Sequence, residues 1–237
     1  MDFALSDTER AIRDTAREFI RKEVMPLEPE VLRRERQHLP GLEPGELRAL
    51  QRKAKEFGFW GLSTPEEYGG MNLPAVLQSL IWTEVGRSYV PFKFGGEADN
   101  ILYVANEQQK QEYLLPTIAG DRISCFAITE PGAGSDAANI KLSARKDGDD
   151  WILNGEKTFI TNGNDADFTM VVAVTDKDKG AKGGGATAFL VDRDMGWKSE
   201  FIQTMGEGGP ASLIFDNVRV PSRNILGAEG QGFELGM

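Results

Sequence analysis

The sequence predicts an α+β chain of more than one domain, helical before about residue 120 and built of strands after it. Two observations carry that prediction. Apolar residues recur at helical spacing through the first half, and they alternate between turn dipeptides through the second. The change falls at Ala119-Gly120-Asp121. With 237 residues, the chain makes one large domain or two small ones at roughly 150 residues per domain.

Ser6 and Glu9 have the spacing of a capping box, in which each side chain satisfies a backbone donor of the first turn. Ile12, Ala16, Phe19, Ile20 and Val24 then form one helical stripe, which Pro26 should stop. A second helix carries Leu47, Leu50, Ala54 and Phe57 and ends at Gly58, a natural C-terminal cap. After a Gly/Pro-rich loop from Gly61 to Pro74, a third helix runs from Val76 to Val85 and ends at Gly86. A fourth helical region spans Glu97 to Leu115, broken near Asn106, with Pro116 as its terminator. These stripes read as core.

From Ile123 to Val220 the expectation is antiparallel strands. Ile123–Thr129 is a short apolar run, and Ile140–Arg145 alternates into Asp147-Gly148, a turn. Trp151–Leu153 and Lys157–Ile160 flank Asn154-Gly155, which reads as a hairpin turn. Phe168–Thr175, Ala186–Val191 and Ser212–Val220 complete the strands. The segment from Lys179 to Ala186 is lysine- and glycine-rich but lacks the order of a P-loop, so it reads as a mobile hairpin loop. Glu229–Met237 opens another helix on Phe233.

Composition excludes several functions. With 27 Lys+Arg against 37 Asp+Glu, the net charge is −10, which argues against nucleic acid because phosphate binding needs a basic surface. At 40% hydrophobic and 27% charged residues, the chain reads as globular. Cys125 is the single cysteine, so no internal disulfide and no multi-thiolate zinc site is expected. His38 is the single histidine, and it sits on the charged stretch Arg33-Arg34-Glu35-Arg36. No secretory signal and no membrane span is visible, and the expected location is the cytoplasm.

The most informative segment is Cys125-Phe126-Ala127-Ile128-Thr129-Glu130-Pro131-Gly132-Ala133-Gly134-Ser135-Asp136. Three readings fit it. Gly132, Gly134 and Ala137 match G-x-G-x-x-A after a strand, but a dinucleotide site of that kind needs a helix next, and alternation follows instead. A tight surface turn suits Pro and Gly. An anion- or cofactor-binding loop also fits, because glycines admit a phosphate to backbone N–H groups while Ser and Thr hydroxyls donate. Glu130 reads as a residue that shapes the loop, and Cys125 as a small buried side chain. By periodicity alone Phe126 and Phe159 are inward strand residues.

Thr129-Glu130-Pro131-Gly132-Ala133-Gly134-Ser135-Asp136, then Asn154-Gly155, then Phe159-Ile160-Thr161-Asn162-Gly163 together resemble the acyl-CoA dehydrogenase family. Pro65-Glu66-Glu67-Tyr68-Gly69-Gly70 and Gln109–Pro116 resemble its helical domain, and Phe215–Pro221 with Leu226-Gly227 the end of its middle domain. The resemblance implies an all-α domain over 1–120, an antiparallel β-barrel-like middle domain over 121–228, and the start of a C-terminal helical domain over 229–237, the bundle itself lying outside these residues. It implies FAD as cofactor, an acyl-CoA substrate converted to 2-enoyl-CoA, and an electron-transfer flavoprotein as acceptor. The matching flavin positions are Phe126, Ala127, Ile128, Thr129, Gly134, Ser135, Phe159, Ile160 and Thr161. Thr129 would bond the pyrimidine side of the ring, Thr161 the region of N5, and Phe159 would stack; Ser135 would also meet the CoA arm.

The family's catalytic glutamate lies in the C-terminal bundle, so no catalytic residue and no metal ligand is assigned here. The resemblance thus implies a truncated or split acyl-CoA dehydrogenase, working as a homo-oligomer or beside a partner subunit. Two alternatives stand: a non-catalytic flavin- or CoA-binding subunit, and the acyl-CoA oxidase or flavin monooxygenase branch of the same scaffold.

Overall fold

The computed structural model describes residues 4–37, 39–204 and 209–237; His38 lies outside them. Two compact units divide the chain, Met1–Glu97 and Ala98–Met237.

The first unit is helical. α1 (Asp7–Phe19) begins with the expected capping box: the Glu9 amide donates to Ser6 Oγ at 3.2 Å and the Ser6 amide to Glu9 Oε2 at 2.7 Å. α2 (Glu28–Glu35), α3 (Pro44–Glu56) and α4 (Ala75–Val85) follow. Phe19 is fully buried, with the Phe92 ring 5.6 Å away and Phe57 edge-on at 5.4 Å. Arg17 on α1 reaches the buried Glu84 on α4 at 2.8 Å, so this inward-facing carboxylate is paired.

In the second unit, α5 (Glu107–Gln109) starts on an Asn106 capping box and continues through a π turn, Lys110–Leu114, into α6 (Leu115–Ala119). The Gln109 side chain donates to the carbonyls of Arg223 and Ile225 at 2.9 and 2.8 Å. Pro116 therefore does not terminate this helix, contrary to expectation. The Glu112 carbonyl, one turn before the ring, accepts from Arg122 Nη1 at 3.0 Å. That replaces the amide hydrogen bond proline cannot make. The helical run passes Pro26 in the same way, through a π turn at Ile20–Val24 and a 3₁₀ turn at Met25–Leu27.

Among the described residues eight strands follow: β1 (Ser124–Ala127), β2 (Ser143–Asp147), β3 (Asp150–Ile160), β4 (Phe168–Val174), β5 (Ala186–Asp192), β6 (Lys198–Phe201), β7 (Ala211–Pro221) and β8 (Ile225–Leu226), with a short α7 (Gly232–Leu235) after them. They form one sheet in the order β6-β7-β3-β2-β4-β5-β8, with β1 alongside β4. The sheet is mixed rather than antiparallel throughout. β1 pairs with β4 in parallel, Cys125 opposite Thr169. Every residue of β4 is buried, the pattern of a strand covered on both faces. β6 and β8 were not anticipated from the sequence; they are short and lack its alternating signal.

Asp147-Gly148 turns the chain from β2 into β3 as expected, Asp147 pairing with Asp150. Asn154-Gly155 does not turn it. β3 runs straight through, and its advance of two residues from Leu153 to Gly155 stands opposite an advance of three on β7, from Val218 to Phe215. The extra residue is on β7, where Asn217 takes φ 52° and its amide donates to Asn154 Oδ1 at 2.9 Å. Gly155 has φ 140°, and a Cβ there would stand 2.9 Å from Leu142 Cα. The sequence Asn-Gly here serves a bulge and a close approach of two strands.

Candidate functional site

A second irregularity in β3 builds the site. Between Lys157 and Ile160 the strand advances three residues while β7 advances two, from Leu213 to Ala211. This inserted residue puts Phe159 at φ 57° and turns its ring outward, 63% exposed. Phe159 is therefore not an inward strand residue. A non-glycine in the left-handed region costs about 1–3 kcal/mol and tends to mark a functional constraint.

The exposed ring borders a pocket of about 300 Å³ lined by Phe126, Ile128 and Thr129 from the end of β1 and by Phe159, Ile160 and Thr161 from the end of β3. Six of the nine sequence-predicted flavin positions thus converge on one cavity. The Thr158 amide donates to the Thr129 carbonyl at 2.9 Å, which ties the two walls together. Ala127 is in the core beneath, fully buried. Gly134 and Ser135 are exposed on the following loop and do not line the cavity. That loop is also the tight turn expected from its composition: Glu130 and Ala133 exchange backbone hydrogen bonds at 3.1 and 3.0 Å.

Gly132 and Gly134 lie outside the left-handed region, and a Cβ on either would meet nothing within 4 Å. The fold does not demand glycine at these positions. Open space beside a bare backbone is a cradle that side chains would fill, which suits the phosphates of a cofactor.

Glu130 is held by three donors and is not a free base. Its Oε2 accepts the Lys141 amide at 2.7 Å, and its Oε1 accepts the Leu142 amide at 2.9 Å and Lys157 Nζ at 2.8 Å. Cys125 also borders the pocket; burial pushes its thiol up to about 11, so it is a poor nucleophile. Asp99, missed in the sequence, stands on the rim. The residue is exposed, yet the wall desolvates its carboxyl and holds it above the ordinary aspartate range, against a hydrogen bond with Ser124. A larger depression of about 400 Å³, involving Lys182, Phe233 and Met237, gathers none of the predicted residues. Among the described residues no acidic, cysteine or histidine cluster could hold a metal ion, and no helix is long and apolar enough to cross a membrane.

Comparison with known proteins gives the family. The model of the acyl-CoA dehydrogenase N-terminal domain matches residues 6–121, and that of the middle domain matches residues 125–218. The chain belongs to the acyl-CoA dehydrogenase family. The mitochondrial short-chain specific acyl-CoA dehydrogenase of Mus musculus is 34% identical over 244 residues, covering 98% of this chain and 56% of that protein. An acyl-CoA dehydrogenase of Bacillus subtilis is 36% identical over 199 residues, covering 79% and 52%. Among solved structures, butyryl-CoA dehydrogenase from Megasphaera elsdenii superposes with a TM-score of 0.79 at 31% identity, covering 99% of this chain and 62% of that one. The chain spans little more than half the length of the curated relatives it matches.

Within the family frame, Lys157 is the residue sequence reading overlooked. The signal was present: on β3 it shares parity with Trp151 and Leu153, both buried in the core, so a lysine there points inward.

Proposed function

We propose that this chain forms the flavin-facing part of an FAD-dependent acyl-CoA dehydrogenase that oxidises an acyl-CoA to its 2-enoyl-CoA and passes electrons to an electron-transfer flavoprotein. The convergence of Thr129, Phe159 and Thr161 on one pocket carries the reading. Thr129 and Thr161 supply hydroxyls that hydrogen-bond ring heteroatoms, Phe126 and Ile128 supply an apolar wall, and the Phe159 ring supplies an exposed face for stacking. The exposed hydroxyl of Ser135 and the bare backbones of Gly132 and Gly134 suit phosphates. Bound FAD would accept the hydride equivalent from the β-carbon. The protein's part is to orient the ring, exclude water and tune its electron demand through these hydrogen bonds. Removal of the α-proton is assigned to a carboxylate outside these residues, because both Glu130 oxygens are committed to the fold.

Anaerobic mixing of the FAD-loaded chain with a series of acyl-CoA thioesters tests this. General-base catalysis is worth about 10²–10⁴-fold, so flavin bleaching should be slow by at least that factor. Rapid bleaching abolished by Glu130→Gln would overturn the assignment. Failure of Gly134→Val to weaken FAD binding would remove the loop from the site. Tight FAD binding with no bleaching by any thioester, even in a complete assembly, would instead favour a non-catalytic subunit. Fast reoxidation by oxygen would favour the oxidase branch.

A further inference from the structure

Lys157 and Glu130 form the buried ion pair of the second unit. Lys157 is 0% exposed, and its Nζ donates to Glu130 Oε1 at 2.8 Å and to the Ile128 carbonyl at 2.9 Å. Glu130 accepts in addition the amides of Lys141 and Leu142. One node thus joins three stretches of chain: the end of β1 at 128–130, the approach to β2 at 141–142, and β3 at 157.

A buried ion pair is poor value as mere stabilisation, since apolar residues of similar volume often serve as well. Burial penalises this ammonium in particular, pushing it down to about 8 against the opposing effect of Glu130. What the pair fixes is local geometry. Thr129 lies between Ile128 and Glu130, the two residues that Lys157 grips, and Phe159 lies two residues beyond Lys157. Both face the pocket.

We propose that Lys157 and Glu130 are positioning residues that set Thr129 in register with Phe159 and Thr161 across the pocket, so that the hydroxyls and the ring meet one ligand. The inference rests on the flavin-pocket reading. The pair touches no reacting atom and acts through Thr129 and the inserted residue of β3.

The test is the double variant Lys157→Met/Glu130→Gln, which removes both charges at nearly constant volume. Glu130→Gln leaves one of the Lys141 and Leu142 amides facing an NH2 group, so the denaturation midpoint should fall while the variant still folds. Its FAD affinity should fall about tenfold, equivalent to about 1.4 kcal/mol, and the visible flavin band should lose vibrational structure as the ring loosens. A folded double variant with the parent's affinity and spectrum would overturn the proposal. Amide exchange at Thr158, which donates to Thr129, reads the same register without any ligand. Faster exchange in a folded variant supports the positioning role, and unchanged exchange overturns it. If the parent binds no FAD, the pocket reading fails while the exchange result still decides the role of the pair. Should the double variant not fold, Glu130→Gln alone, isosteric with the parent, gives the same three readings.

Discussion

Gly155→Ala should destabilise the protein far more than Gly148→Ala, although both glycines have positive φ, Gly148 just before β3 and Gly155 within it. At Gly148, φ 66°, an added Cβ meets nothing within 4 Å, so the cost is the left-handed conformation alone, about 1–2 kcal/mol. At Gly155, φ 140°, the Cβ would stand 2.9 Å from Leu142 Cα and 3.0 Å from its Cβ and Cγ. Leu142 is core-buried and its amide is engaged by Glu130, so it cannot step aside. Backbone strain of about 1–3 kcal/mol and overpacking of about 1–3 kcal/mol then add, giving roughly 2–6 kcal/mol. Urea denaturation followed by tryptophan fluorescence measures both variants, Trp151 reporting from the same strand. Equal losses within about 0.5 kcal/mol, the usual limit of additivity, would refute the close-approach argument and restore Asn154-Gly155 as an ordinary turn.

Phe189→Ala should cost about 3–5 kcal/mol, because the ring is fully buried and packs edge-on against Trp151 at 5.7 Å; a loss below about 1 kcal/mol in the same assay would mean the core collapses to fill the space. Lys157 releases its proton near pH 8 when folded, against about 10.5 when unfolded. The penalty of burying its charge is fully present below pH 8 and is relieved as pH rises towards 10.5, so the parent should gain stability relative to Lys157→Met over that window. A flat or falling difference between the two midpoints would contradict the buried-ammonium picture. Thr161→Val, nearly isosteric, should cost about 0.5–1.5 kcal/mol in FAD affinity and shift the flavin potential, measured by dye equilibration; an unchanged potential would place Thr161 off the ring.

Much of the fold was legible locally. The Ser6–Glu9 box, the Gly58 cap after α3 and the Asp147-Gly148 turn all act through neighbouring residues. The misreadings share a cause. Pro116 is tolerated inside a helical run because Arg122 supplies the missing donor. Asn154-Gly155 lies in mid-strand because Asn217 on β7 and Leu142 just before β2 meet it there. In each case the deciding partner lies elsewhere in the chain.

The site divides in the same way. The sequence determined the fold class and the family, since motif order and apolar period are written in the chain itself. Only the tertiary structure decided that Phe126, Ile128 and Thr129 share one pocket with Phe159 to Thr161, that an inserted residue turns Phe159 outward, and that Lys157 is buried against Glu130, 27 residues away. Local propensity acts over a few residues, whereas register, bulges and the burial of a charge depend on which distant strands pair.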